Sequence, residues 1–323
     1  MKFLTGLIAG GVISIAIFTG LLSLAKGKPL RETQGFAADF NRKREIALAI
    51  PGSKIILVGG SSVDQGISAE SVSEKLDMPT VNYGLISPLG AHYIFHKTKE
   101  IARPGDFVVI SLEYHCYDWM GPSLWLDPIF INYVTSQDGN YLDKLSPWNR
   151  WNILARVNTP QLANALLRGK RNSVVESSSE EAFNGQGDRI SNSKNARPVE
   201  CNERTKPVDQ LVSGFSPNPK GFPAIRNFLK WAAESDVTVI ATFPNVGQNS
   251  AYQFEKLNKI EKQIQDFYEA HGVPVAGTLA AAMFPEEDLF DSPFHLVQEA
   301  VLERTNKLTI HLDKIIKNYK ESN

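Results

Sequence analysis

The sequence is short of the residues that usually build metal and redox centres, and its charges nearly cancel. Among its 323 residues there are two cysteines, Cys116 and Cys201, which stand in no spacing typical of zinc ligands. They could pair in an oxidising compartment or remain isolated thiols. The 34 basic and 35 acidic side chains give a net charge of -1, and no basic patch is visible, which argues against nucleic-acid binding.

Histidine is also scarce, with six in the chain. His92 and His96 stand four apart on a predicted helix over residues 89–102, but no third metal ligand accompanies them. The Gly59-Gly60 turn lacks both the Gly-x-Gly-x-x-Gly pattern and the lysine of nucleotide-binding loops. We therefore predict neither a metal nor a cofactor.

Charged side chains are absent altogether from residues 3 to 25. At ~1.5 Å per residue, a helix of this length crosses a hydrocarbon core of ~30 Å. A secretory signal has a shorter apolar region, so the pattern favours a retained anchor in the lipid bilayer over a cleaved leader. The predicted organisation is a transmembrane anchor over 1–25, a linker and leading helix over 26–50, and one domain over 51–323.

The side of the membrane on which this domain lies is not fixed by charge. Lys2 precedes the span, whereas Lys26, Lys28 and Arg31 follow it closely. This count favours a cytoplasmic domain, but a long domain can be translocated regardless of such charges.

From residue 51 onward, apolar β-branched runs alternate with amphipathic helical patterns. The run at 55–58 is bounded by glycine, which predicts a strand buried on both faces. The alternation predicts a mostly parallel sheet of about five strands with helices on both faces, a three-layer α/β/α fold. The predicted strands cover residues 55–58, 80–82, 107–112, 237–243 and 273–276.

An irregular insertion is predicted at about residues 120–220, where this periodicity weakens. Residues 172–210 are rich in Ser, Asn, Gly and charge, which predicts a long loop or lid. The insertion is also aromatic, and we favour packing of these side chains over a carbohydrate platform. They are Trp125, Phe130, Tyr133, Trp148 and Trp151.

A candidate nucleophile follows the first predicted strand, which stops at Gly59-Gly60 and is followed by Ser61 and Ser62. A glycine pair allows a tight turn that presents a small hydroxyl residue at the carboxyl edge of the sheet, where open α/β folds bind ligands. A plain strand-to-helix connection has the same pattern.

Near the C-terminus, Asp291 stands four residues before His295. With Ser62 these are the residue types of an acyl-transfer triad, namely the nucleophile, the proton acceptor and the orienting acid. An aspartate capping a helix beside a surface histidine would give the same pattern. Asp288, seven residues before His295, is a poorer partner.

The order of these motifs resembles that of the SGNH/GDSL-like hydrolase superfamily, in particular its membrane-anchored bacterial members associated with cell-surface polysaccharide acylation. The resemblance covers about residues 50 to 310 and is poor over 120 to 220. Four blocks carry it: GGSS (59–62), VNYG (81–84), GDFVVISLEYHCY (105–117) and FDSPFHL (290–296).

The resemblance implies a flavodoxin-like sheet and a serine-dependent ester hydrolase or O-acyltransferase. Its substrate would be the acyl groups, acetyl in the first place, of a cell-surface polysaccharide outside the cytoplasmic membrane, and a membrane acyltransferase is a possible partner. Ser62, His295 and Asp291 would be catalytic, and the Ser62 N–H with Asn82 and Gly84 would form the oxyanion hole. Asn82 and Gly84 are also common turn formers.

Two departures from the family pattern support a second hypothesis. Glu113 and Tyr114 stand where the family usually has Gly-x-Asn-Asp, and Asp291 and His295 are four apart instead of three. Glu113 and Tyr114 could bind sugar hydroxyls. The alternative is a catalytically inactive domain that binds polysaccharide or a membrane acyltransferase as an assembly factor. Members of the subgroup also carry a Gly-Asp near Gly187-Asp188, which could reach the site.

Overall fold

The computed structural model describes residues 2–25, 31–118, 127–157, 182–199 and 201–322. The strands within them are β1 (Ile55–Gly59), β2 (Thr80–Gly84), β3 (Phe107–Ser111), β4 (Thr238–Thr242), β5 (Val246–Gly247), β6 (Val275–Ala276) and β7 (Met283–Phe284).

The helices of the first half are α1 (Lys2–Ala25), α2 (Arg31–Ala49), α3 (Ser61–Asp64), α4 (Ala69–Leu76), α5 (Gly90–Lys99), α6 (Tyr114–Asp118), α7 (Pro128–Ser136), α8 (Gly139–Asp143) and α9 (Pro147–Leu154). Those of the second half are α10 (Asp209–Ser213), α11 (Phe222–Glu234), α12 (Phe254–Glu269) and α13 (Gln298–Ser322).

The chain divides into two compact units, the first comprising residues 1–39 and 126–178 and the second residues 40–125 and 179–323. The division near the N-terminus lies inside α2, whereas the sequence pattern predicted a boundary at residue 51. α2 is continuous, and Lys43 and Ala47 in its second half are buried. The linker and leading helix predicted over residues 26–50 therefore contain α2, and the second half of α2 belongs to the core of the second unit.

The first unit contains α1, the start of α2, and α7 to α9. Among the described residues, one helical stretch is long and apolar enough to cross a membrane, Phe3–Leu21 in α1. Its side chains are exposed up to Ile17, as a bilayer-facing helix requires.

The second unit is built on a five-stranded sheet in the order β2-β1-β3-β4-β6, in which every neighbouring pair is parallel. This confirms the predicted parallel sheet. Gly59 at the end of β1 pairs with Gly84 of β2 and with Ser111 of β3. The three central strands therefore end level with one another, and the residues that follow them meet at one edge.

Helices cover both faces of this sheet. On one face Leu57 and Val109 pack with Val72 of α4 and Leu312 of α13. On the other face α5 contacts β1 and α11 contacts β4, and α5 and α11 contact each other. The layers follow from the central strands β1 and β3, which are mostly apolar and buried at every position.

A small parallel sheet of β5 and β7 supports the segment that contains His295. Leu289 and Leu296 form an antiparallel bridge across this segment. Both leucines are buried in a separate apolar cluster with Phe284, Val297 and Val301. The loop is therefore held at its two ends by core packing, which fixes where its polar side chains lie.

Candidate functional site

The turn after β1 brings Ser62 to the carboxyl edge of the sheet. β1 ends at Gly59, and α3 begins two residues later, with Gly60 as the link. A Cβ atom on Gly60 would collide with the Glu113 carboxylate. Glycine is required there because the turn and a buried side chain approach so closely.

Ser62 is fully buried, and its three polar groups are used differently. Its N–H donates to Glu113, and its carbonyl accepts from Arg304 Nη1 at 3.1 Å. Its hydroxyl makes no hydrogen bond within the described part of the chain. A buried hydroxyl without a partner is uncommon in folded proteins and requires an explanation.

Glu113 follows the end of β3 and is also fully buried. Its two carboxylate oxygens accept from the N–H of Ser62 at 2.9 Å and from the N–H of Gly60 at 3.2 Å. The carboxylate thus serves the open N–H groups at the start of α3. The Ser62 N–H is the group expected to stabilise an oxyanion, and in this structure Glu113 occupies it.

Arg304 of α13 holds the ends of three elements together. Its guanidinium donates to Asn245 Oδ1 at 2.5 Å, to Ser111 Oγ at 3.1 Å, and to the carbonyls of Phe243 and Ser62. Burial lowers the pKa of Arg304 to about 9, against the charges of the nearby Tyr114 and Glu113. The contacts are geometrically fixed, as the planar five-donor guanidinium allows.

Asp291 and His295 are in direct contact. Asp291 Oδ1 lies 2.5 Å from His295 Nδ1, and the imidazole is largely buried. Burial favours the neutral carboxyl, but the hydrogen bond and charge of His295 outweigh it and hold the pKa of Asp291 below its ordinary value. With Nδ1–H donated to Asp291, the neutral ring carries its lone pair on Nε2, as a general base requires.

The His295 segment is joined to the Ser62 turn through Gln65. The Leu296 N–H donates to the Gln65 carbonyl at 3.2 Å, and Gln65 Nε2 lies 3.3 Å from His295 Nδ1. The remaining triad contact, between Ser62 Oγ and His295, is not made in this structure. The structure therefore brings Asp291 and His295 together and places both beside the turn that carries Ser62.

Asn82 and Gly84, predicted for the oxyanion hole, are both buried and engaged in other contacts. Asn82 Nδ2 donates to the carbonyls of Val63 and Ile67 and to Asp188 Oδ1. The Gly84 N–H donates to Asn82 Oδ1 at 3.0 Å. The Asn82 amide thus joins β2 to α3, the Gly84 N–H is used within β2, and neither donor is open to a substrate in this arrangement.

Glu113 and Tyr114, predicted to contact substrate, are fully buried. The Tyr114 hydroxyl has no hydrogen-bond partner within the described residues, and burial raises its pKa above the ordinary range. Its ring lies 6.4 Å from that of Phe294, next to His295. Neither side chain is open to a substrate in this structure.

A buried ion network beside the turn was missed by the sequence analysis. Asp64 Oδ1 lies 2.5 Å from Lys43 Nζ, and Asp64 Oδ2 lies 2.7 Å from Arg189 Nε. Burial lowers the pKa of Lys43 in spite of Asp64. Burial opposes ionisation of Asp64, but the two cations hold its pKa below the ordinary value. Only the folded chain brings residues so distant in sequence together.

Asp188, considered for the site because of its Gly-Asp motif, serves the start of α4. Its carboxylate accepts from the N–H groups of Ala69 and Glu70 and from the Ser68 hydroxyl. A carboxylate at a helix N-terminus is favourable because it meets open N–H groups and the positive end of the helix dipole. Its contact with Asn82 joins this cap to the end of β2.

Both cysteines are free. Cys116 is buried, and desolvation together with Glu113 raises its pKa well above the ordinary value, which keeps it a protonated, poorly nucleophilic thiol. The Cys201 thiol donates to the Asp291 carbonyl at 3.0 Å. Cys116 is therefore a poor candidate nucleophile.

Within the described residues, no group of three or more His, Cys, Asp or Glu side chains is arranged to hold a metal ion. His92 and His96 both lie on α5, and His96 Nε2 lies 3.4 Å from Glu100. Burial, with the charges of His96 and Lys99, lowers the pKa of His92 to about 4.

No protein-family model matches this chain, and a comparison with curated proteins found no match either. The chemistry of the site is therefore argued from its geometry. The site contains three features. The buried Ser62 hydroxyl has no hydrogen-bond partner among the described residues, the His295 imidazole contacts Asp291 beside the Ser62 turn, and the Glu113 carboxylate accepts from the Ser62 N–H. The first two belong to acyl transfer, and the third opposes it as long as it stays in place.

Proposed function

We propose that this protein is a serine-dependent ester hydrolase or O-acyltransferase of the SGNH type, acting on acetyl or similar acyl groups of a cell-surface polysaccharide. The observation that carries the proposal is the 2.5 Å contact of Asp291 and His295 on a segment bonded to Gln65, three residues after Ser62. The sheet order β2-β1-β3-β4-β6 supports it, because it is the order of flavodoxin-like folds.

In the proposed reaction, His295 Nε2 takes the proton of the Ser62 hydroxyl while Oγ bonds to the acyl carbon. The ester bond to the glycan breaks, and the leaving glycan oxygen receives the proton from His295. Water or a second glycan hydroxyl then attacks the acyl-serine and gives its proton to His295. The bond between the acyl carbon and Ser62 Oγ breaks, and His295 returns the proton to Oγ. Asp291 orients the imidazole throughout.

The oxyanion of this reaction needs the Ser62 N–H, and therefore needs Glu113 to leave it. A donor of this kind contributes ~100-fold or more to the rate when it is aimed at the developing charge. The proposal accordingly includes an open state in which the Glu113 carboxylate has moved away from the Ser62 turn.

Turnover of p-nitrophenyl acetate by the full chain in detergent tests this function. We expect Ser62→Ala and His295→Ala to abolish turnover and fluorophosphonate labelling. The matched control is Ser61→Ala, since Ser61 is the neighbouring hydroxyl and is partly exposed. Equal loss in the control, or turnover that survives both site variants, would refute the serine mechanism.

We also propose that the second unit lies on the extracytoplasmic side, because the proposed glycan substrate is found there. Alkaline phosphatase fused after α13 should be active in intact cells, since that enzyme requires an oxidising compartment for its disulfides. An active cytoplasmic reporter at the same position, with inactive phosphatase, would assign the opposite side.

A second candidate function rests on the occupied Ser62 N–H. A domain whose nucleophile is fully buried and whose oxyanion donor holds a carboxylate fits a catalytically silent assembly factor that binds polysaccharide or a membrane acyltransferase. It predicts that fluorophosphonate labels Ser62 neither in the wild-type protein nor after removal of Glu113. Retained co-purification of a membrane acyltransferase with Ser62→Ala would then support it.

A further inference from the structure

Two large aromatic side chains of α9 are directed into solvent. Trp148 is 69% exposed and Trp151 is 53% exposed. They stand three apart on a helix and so share one face. The helix is well defined, because Pro147 occupies its first turn and Ser146 Oγ accepts from the Asn149 N–H. The pair is therefore a fixed apolar projection.

The other aromatic residues of this segment do not behave in the same way. Phe130 and Tyr133 of α7 are buried, at 6% and 5% exposure, and the Phe130 ring packs edge-on against Tyr141. Packing therefore accounts for the α7 aromatics, as predicted for the whole segment, but not for Trp148 and Trp151. Their exposure requires a separate explanation.

The position of α9 within the first unit indicates which partner covers the pair. α7 contacts both α1 and α9. Among the described side chains of α1, only Phe18 and Leu21 are partly buried, so α7 meets α1 at the C-terminal end of the apolar stretch. At the C-terminal end of α7, the Ser136 hydroxyl lies 3.3 Å from that of Thr33, at the start of α2.

α7 thus lies at the point where the chain leaves the apolar stretch, and α9 is packed on α7. Tryptophan has an apolar ring system and one N–H donor, and it is enriched where hydrocarbon meets lipid headgroups. We propose that α9 lies in the interfacial layer of the bilayer that α1 crosses, with Trp148 and Trp151 inserted among the lipid headgroups and upper acyl chains.

This contact gives the first unit a second attachment to the bilayer, in addition to α1. The side of α9 away from the pair suits this orientation. Ile153 is buried against the unit, and Arg150 is half-exposed and pairs with Asp143 at 3.0 Å. A helix that lies in the interface needs this separation of an apolar face from a charged one.

Quenching of tryptophan fluorescence by brominated lipids tests the proposal on the full chain in liposomes. Lipids brominated near the headgroup should quench the wild-type protein more strongly than lipids brominated near the chain end. Trp148→Phe/Trp151→Phe should lose most of the shallow quenching. The control is Trp231→Phe, which should keep it, because Trp231 is partly buried with Lys99 Nζ 5.1 Å from its ring.

Unchanged shallow quenching in the double variant would overturn the proposal. So would full access of Trp148 and Trp151 to aqueous iodide in liposomes, read as the difference between the wild-type and double-variant signals. If soluble polysaccharide protects them from iodide while brominated lipid does not quench them, the pair is a glycan platform instead. Phenylalanine is also aromatic and both positions are exposed, so the double variant should keep its fold, and unfolding does not account for a change in quenching.

Discussion

The carboxylate of Glu113 accepts a 2.9 Å hydrogen bond from the backbone N–H of Ser62. The same carboxylate accepts from the Gly60 N–H, and a side chain on residue 60 would collide with it. The Ser62 N–H therefore has a structural role in this contact and a catalytic role in the proposed reaction. In the closed state it is satisfied by Glu113, and in the proposed reaction it would be satisfied by the oxyanion.

The structural share of this contact can be measured with Glu113→Gln. The amide oxygen can still accept from Ser62, but the NH₂ group then faces the Gly60 N–H, which is left buried and unpaired. We expect the free energy of unfolding in urea to fall by ~2 kcal/mol. Glu74→Gln is the control, because Glu74 is exposed and its substitution should change little. An unchanged free energy of unfolding in Glu113→Gln would mean that the N–H groups of Ser62 and Gly60 do not need a carboxylate as their acceptor.

The Asp291 carboxylate should contribute stability in a pH-dependent way. Its pKa in the folded protein lies below the ordinary 3.8, so its contribution is present above that pH and is lost as the pH falls through the folded pKa. Asp291→Asn should therefore destabilise the protein at pH 7, and the difference from wild type should shrink below pH 3.8. Urea unfolding at several pH values measures it.

Asp288 offers a control of opposite sign in the same segment. Burial and the charges of Glu303 and Glu287 raise its pKa, so its ionised form is disfavoured in the folded protein. Asp288→Asn should leave the free energy of unfolding unchanged or raise it at pH 7. Below pH 3.8, where Asp288 is protonated in both states, the variant and the wild-type protein should have the same stability. If both variants showed the same sign at pH 7, the assignment of Asp291 as the partner of His295 would lose its electrostatic support.

The buried ion network predicts a large loss for Lys43→Met. The substitution leaves Asp64 buried, with Arg189 as its one remaining cation among the described residues, and breaking a buried pair typically costs ~3 kcal/mol or more. Urea unfolding should show this, and adding Asp64→Asn should recover part of it. Lys262→Met is the matched control, since the Lys262–Asp266 pair is exposed and its loss should not be measurable.

The sheet could be predicted because its strands are continuous apolar runs bounded by glycine. Ile55 to Gly59 and Phe107 to Ser111 lie within one or two residues of the predicted strands. The division into two units inside α2 could not be predicted, because α2 is polar in composition and its sequence does not show that Lys43 is buried. A buried lysine looks like a surface lysine until its partner Asp64 is known.

Candidate site residues could be named from the sequence, but their contacts could not be predicted. The spacing of Asp291 and His295 indicated their pairing, since a loop can bring residues four apart together. The role of Glu113 as acceptor for Ser62 could not be derived, because it depends on the level at which β1 and β3 end. Arg304 was missed for the same reason, since its partners lie at or just after the ends of three different strands.

Removing Glu113 should expose whether Ser62 is an activated serine. Glu113→Ala frees the Ser62 N–H for an oxyanion, and one such donor is worth ~100-fold or more in rate. We expect fluorophosphonate to label Ser62 fastest in Glu113→Ala, more slowly in Glu113→Gln and slowest in the wild-type protein, because glutamine still accepts from Ser62.

Ser62→Ala in the Glu113→Ala background should abolish the labelling, and Glu74→Ala should label at the wild-type rate. The comparison is made at a temperature where each variant is folded by circular dichroism, since Glu113→Ala also leaves two buried N–H groups unpaired. Slower labelling in folded Glu113→Ala would show that the carboxylate shapes the Ser62 turn for catalysis instead of blocking it, because the freed N–H would then be in the wrong place.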